Sequence, residues 1–198
     1  MLDIELVIVH SVFAIREYRM ESVMILKPQD VLVLVKLVVI GGEEWSYGRM
    51  ATTLWMSPSE VHAGVKRLIK ARLASDRQNR IIPNVRNLES FLLHGLPYVF
   101  VPDLGEITRG MPTGYAGPVL SPFFQVDDDL PPVWPGPEGE VRGQSFSPLY
   151  KSVPKAARED ERLYELLSLI DAIRGGRARE RQMARDEIKK RMDLNAGS

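Results

Sequence analysis

The chain has 198 residues, enough for one good core with an extension packed on it. Lys plus Arg number 26 and Asp plus Glu number 26, so the total charge is zero and only its distribution can point to nucleic acid or membrane. The absence of cysteine removes disulfides, thiolate metal sites and Cys nucleophiles, and fits a cytoplasmic protein.

Residues 1–25 form an N-terminal arm. The apolar run in MLDIELVIVHSVFAIREYR carries Asp3 and Glu5 where a secretory signal wants basic residues, and it is too short to span a bilayer. It reads as an extra strand or helix, as an extension ahead of an internal start at Met20, or as a packing or dimerisation arm.

Three helices are expected next. Pro28 and Asp30 open one over residues 27–40, buried on most of its surface and stopped at Gly41-Gly42. Ser46 caps a second, with Tyr47, Met50, Ala51 and Leu54 at helical spacing. A tight connection then leads to SPSEVHAGVKRL, where Ser57 with Glu60 makes a capping box and Pro58 takes the first helical position. Val61, Val65 and Leu68 form the core stripe of this third helix. After Leu73, ASDRQNRIIPN reads as a small polar hairpin. A further helix is expected from about Val85 to His94, stopped by Gly95 and Pro97.

Residues 97–157 change character. Most of the prolines lie here, which predicts an extended, loop-rich segment with isolated short strands. Its many aromatics, Trp134 and Phe146 among them, imply that it wraps over the rest and buries its rings. Residues 158–194 read as a C-terminal helical pair. The first member carries Leu163, Leu166, Leu167, Ile170 and Ile173 on one face, and the second carries a basic stripe of Arg177, Arg181, Arg185 and Lys189. The fold class expected is mainly α with a small β-wing: a winged helix-turn-helix over residues 26–96, followed by the loop-rich segment and the two helices.

Three helices, the last two joined tightly, then a hairpin, is the order of a DNA-reading winged helix. In that reading the helix from Ser57 enters the major groove. Ser59, Ala63 and Gly64 keep its outer face slim, and Lys66, Arg67 and Lys70 reach phosphates or guanine edges. The expected DNA-binding residues are Ser57, Ser59, Glu60, His62, Ala63, Lys66, Arg67 and Lys70, with Arg77, Asn79 and Arg80 of the hairpin. Lys66 and Arg67 both lie off the core stripe, so removing either is expected to leave the fold intact. Residues 27–83 hold nine basic against five acidic side chains, a local excess that suits a polyanion.

LKPQDVLVLVKL, WSYGRMATTLWMSPSEVHAGVKRL and the hairpin together resemble the bacterial MarR-like winged helix-turn-helix regulators. The remaining stretches, such as HGLPYVFVPDLGEITRGMPTGYAGPVL and LYELLSLIDAIRGGRARER, resemble uncharacterised bacterial proteins that carry the same extension. The first resemblance implies a homodimeric transcriptional regulator acting on near-palindromic duplex DNA, and the function expected is that of a repressor. Winged helices commonly place Gly just after the recognition helix; here the position is Arg72. No nucleophile elbow, phosphate loop or His-carboxylate spacing appears, so neither catalysis, cofactor nor metal is expected. Asp127, Asp128 and Asp129 are adjacent and cannot all face one ion. The alternative is an antitoxin-like or adaptor protein that uses its extension to bind and control a protein encoded nearby.

Overall fold

The computed structural model describes residues 25–78, 80–124 and 130–196. The N-terminal arm up to residue 24, Asn79 and the Asp127–Asp129 run lie outside the described residues. The chain is mainly α with two small β regions.

The local start signals act where they stand. Helix α1 spans Pro28–Ile40 and buries every residue from Asp30 to Val35, together with Leu37 and Val38. Helix α2 spans Tyr47–Leu54, and the Ser46 hydroxyl accepts the Arg49 backbone N–H. Helix α3 spans Pro58–Lys70. The Ser57 hydroxyl accepts the Glu60 N–H, and the Glu60 carboxylate accepts the Ser57 N–H at 2.9 Å. Strands β1 (Ala74–Arg77) and β2 (Arg80–Pro83) pair antiparallel with Arg77 opposite Arg80.

Arg72, at the position after α3 where a glycine is expected, adopts φ +59°. This left-handed conformation is disfavoured for a side chain of its size. The surroundings hold it: Leu73 N–H reaches the Leu68 carbonyl at 2.9 Å, and the Asn87 amide donates to the Arg72 carbonyl at 2.8 Å.

The expected stop at Gly95-Pro97 is corrected. Helix α4 (Val85–Ser90) continues through a π-turn at Phe91–Gly95 into α5 (Leu96–Val99). Proline is tolerated because the widened turn leaves it near the start of α5, where its missing N–H has no helical partner to lose. Gly95 leaves room for a neighbour: a β-carbon there would stand 3.0 Å from the Phe91 ring, which would have to shift by a few tenths of an ångström.

The strands of the proline-rich segment are not isolated either. β3 (Leu104–Pro112) pairs antiparallel with both β4 (Pro132–Pro135) and β5 (Val141–Phe146), and β4 runs parallel to β5, so the three close on one another. Such tight closure demands bare backbone. A β-carbon on Gly110 would collide with the Trp134 carbonyl, and one on Gly143 with the Pro131 carbonyl. Trp134 and Phe146 are buried as the aromatic content implied, whereas Tyr98 and Phe123 are exposed.

Three helices complete the chain: α6 (Val153–Glu159), α7 (Glu161–Gly175) and α8 (Ala178–Ala196). Sequence periodicity gave α7 one apolar face, yet every residue from Leu166 to Arg174 is buried, because α1, α6, α8 and the short turn at Gly114–Ala116 pack around it. Its Asp171 carboxylate accepts from the Thr113 hydroxyl at 2.8 Å, the Trp134 indole N–H at 2.6 Å and Arg174 at 2.6 Å. Three donors satisfy a charge that would otherwise be costly to bury. Lys36 of α1 pairs with Asp160, the N-cap of α7, at 2.6 Å. One hydrophobic core therefore runs from Val31 to Met192 and joins the three-helix unit to its extension. No helix among the described residues is long and apolar enough to cross a membrane.

Candidate nucleic-acid interface

Helix α3 repeats every 3.6 residues, so Ser59, His62, Ala63, Lys66 and Lys70, spaced by threes and fours, fall on one stripe opposite Val61, Val65 and Leu68. That stripe is open. Ser59, His62, Lys66 and Lys70 are exposed, and Ala63 is half-buried. No carboxylate among the described residues pairs with Lys66 or Lys70.

Arg67 stands at the edge of the stripe and does not share its freedom. Its Nε donates to Asp30 Oδ2 at 2.7 Å and its Nη2 to Asp30 Oδ1 at 2.6 Å, a bidentate pair between α3 and α1. Asp30 is fully buried, and only 12 % of the Arg67 side chain is exposed. Its hydrogen bonds to the Asp30 carboxylate raise the guanidinium pKa further above its ordinary value. Asp30 Oδ2 also accepts the Lys27 backbone N–H at 2.8 Å, so the same carboxylate caps α1. The expectation that Arg67 can be removed without touching the fold is thereby corrected: it neutralises a buried charge.

Gly64 belongs to the same contact. A β-carbon there would lie 3.1 Å from Asp30 Oδ1. The mid-helix glycine, which costs about 1 kcal/mol of helix propensity relative to Ala, makes room for the carboxylate.

Glu60 and Ser57 are engaged in the cap. Glu60 also accepts the Tyr150 hydroxyl at 2.8 Å, so the extension reaches the start of α3. The Ser57 backbone N–H, then the Ser57 hydroxyl and that of Tyr150, hold the Glu60 carboxyl below its usual range. In this state Glu60 is a cap and an anchor. His62 packs its ring edge-on against Tyr47 at 5.1 Å, and Tyr47 meets Trp45 in the same manner at 5.1 Å. This aromatic chain ties the connection before α2 to the outer face of α3.

In the hairpin, Arg77 is exposed without a partner among the described residues. Arg80 is exposed but donates to the Gly42 carbonyl at 2.8 Å, fastening the hairpin to the end of α1. The tip is turned by Gln78 at φ +54°. Among the described residues, the cations on the stripe without an ion-pair partner are Lys66 and Lys70, with Arg77 exposed in the hairpin and Arg49 exposed on α2.

Sequence reasoning missed the neighbours that the extension brings. Trp55, in the α2–α3 turn, adopts φ +54° and is 52 % exposed. Its indole N–H donates to Glu159 at 3.1 Å, and the Lys155 ammonium sits 4.9 Å from its ring centroid. A hundred residues separate these partners, and no local pattern announces the contact. On α8, Arg185 leaves the predicted basic stripe and donates to the Leu93 carbonyl. Among the described residues no group of three or more His, Asp or Glu side chains could hold a metal ion. No family model matches the chain, and no curated protein or solved structure matches it either.

Proposed function

We propose that the protein is a DNA-binding transcriptional regulator, a repressor, that reads duplex DNA through helix α3 in a winged helix-turn-helix arrangement. The observation that carries this reading is the open stripe of Ser59, His62, Ala63, Lys66 and Lys70, slim and free of carboxylates, on a helix whose other side is anchored by Val61, Val65 and Leu68. A groove-reading helix needs that division: apolar anchor behind, short polar groups and cations in front. Ser59, His62 and Lys66 present donors to base edges, Lys70 and Arg77 face phosphates, and Arg67 keeps α3 in register on α1. The reading includes action as a homodimer on near-palindromic sites.

Anisotropy titration of labelled duplex from upstream of the gene's own operon tests it. Lys66→Ala is expected to weaken binding by roughly 1 to 3 kcal/mol for a base contact, or to lower the salt slope by about 1 for a phosphate contact, with the melting temperature unchanged. No sequence-specific binding at low salt ends the reading.

A second reading, a protein that binds and controls a partner protein, is favoured by one surface. Tyr98 and Val99 at the end of α5, Val101 after it, and Leu104 and Ile107 in β3 are all exposed, with Tyr98 at 82 % and Val101 at 68 %. Apolar groups this concentrated mark interaction surfaces. A stoichiometric partner captured from neighbouring gene products, and released by Val101→Asp, supports that reading; a dimer in light scattering that Val101→Asp dissociates gives the surface to a second copy.

A further inference from the structure

We propose that the segment from Tyr150 to Glu159 is a second DNA-contacting element, in which Lys151 and Lys155 take backbone phosphates beside the N-terminal end of α3; this rests on the regulator reading above. The segment is fixed against the three-helix unit at three points. Tyr150 donates to Glu60 on the first turn of α3, Trp55 in the α2–α3 turn donates to Glu159, and Lys155 lies over the Trp55 ring. Val153, Ala156 and Ala157 turn into the core and pack α6 against α2. The opposite side of the segment therefore has a defined position.

Lys151 and Lys155 are on that side, exposed, and no carboxylate among the described residues forms an ion pair with either. Two acids of the same contact region are already engaged: Glu60 with the Ser57 cap and Tyr150, and Glu159 with Trp55. Arg158, the remaining cation of α6, is paired with Glu138. Trp55, the left-handed C-cap of α2, keeps about half of its surface in water beside the two lysines, so the face they share is open.

The geometry gives the pair a specific partner. Helix α3 has 13 residues and is about 20 Å long, whereas the major groove is roughly 12 Å wide and walled by two phosphate strands. Arg77 of the hairpin lies beyond the C-terminal end of α3, and Lys151 and Lys155 lie beside its N-terminal end. Cations at the two ends of a helix longer than the groove is wide meet phosphates on opposite walls. Phosphate contacts position a protein on the duplex without reading its sequence, which suits lysines placed over aromatic rings, Lys151 5.7 Å from the Tyr150 centroid and Lys155 over Trp55.

The test uses the full chain and two labelled duplexes of equal length, the upstream region of its own operon and a random sequence, titrated over a range of salt concentrations. Each phosphate contact contributes about 0.9 to the slope of log affinity against log salt. Lys151→Gln/Lys155→Gln is expected to lower that slope by about 1.8 on both duplexes alike. Lys151→Gln alone, which leaves the Trp55 ring contact in place, is expected to lower it by about half as much with an unchanged melting temperature. If both variants keep the wild-type slope while Lys66→Ala loses affinity, the segment only packs on α2 and this proposal is overturned, although the regulator reading stands. If the wild type binds neither duplex at low salt, the regulator reading fails first and takes this proposal with it.

Discussion

Replacing Arg67 by Ala is expected to unfold more than it unbinds. Asp30 has no exposed surface and three donors: the Lys27 backbone N–H at 2.8 Å and the two Arg67 nitrogens at 2.7 and 2.6 Å. Arg67→Ala removes two of the three and the only ionic partner among the described residues, leaving a carboxylate buried between α1 and α3. Breaking a buried pair from one side costs about 3 to 5 kcal/mol. The Arg67 side chain retains 12 % exposure, so water can follow it into part of the vacated space, which places the loss near the lower end. For a chain of this size a loss of about 3 kcal/mol lowers the melting temperature by roughly 6 to 12 °C. Thermal and urea unfolding followed by circular dichroism measure it, and the double variant Asp30→Asn/Arg67→Met is expected to recover most of the loss because no unpaired charge remains. An unchanged melting temperature in Arg67→Ala would refute the buried-pair argument and return Arg67 to the outer face of α3.

Gly64→Ala gains about 1 kcal/mol of helix propensity. It also sets a methyl 3.1 Å from an Asp30 oxygen that its donors hold in place, so unfolding titrations are expected to show a net loss. That loss is expected to become a gain in Asp30→Ala/Arg67→Met, and a gain in the wild-type background counts against the reason given for the glycine. Glu60 titrates below its ordinary value because Ser57 and then Tyr150 donate to its ionised form. A depressed carboxyl contributes stability above its unfolded pKa and loses it as pH falls through the folded one. The urea midpoint of the wild type is accordingly expected to exceed that of Glu60→Gln near neutrality, with the gap closing in acid; a gap constant with pH contradicts the assignment.

What the sequence determined by itself is local. Pro28 with Asp30, Ser46, and Ser57 with Pro58 and Glu60 each satisfy backbone donors within one turn, so α1, α2 and α3 begin where those residues stand whatever surrounds them. The β1–β2 hairpin is equally local, as is the outer stripe of α3, which follows from the helical period alone. The tertiary structure decided whatever depends on partners distant in the chain. Arg67 and Lys66 are neighbours with the same charge, yet one is locked and one is free because Asp30, 37 residues earlier, lies beneath only the first. Gly64 reads as a defect until that carboxylate is beside it. Gly95 and Pro97 carry every local mark of a stop, and the helix passes through them because a π-turn moves the proline to a position with no bond to lose. Helix α7 has the composition of a one-sided surface helix and is enclosed from Leu166 to Arg174, since burial depends on how many elements pack around it and its own periodicity reports only where its apolar residues fall. Capping and periodicity act over a few residues and can be read in sequence order; charge burial, strand closure and the placing of Lys151 and Lys155 beside α3 arise only when separated segments share one core.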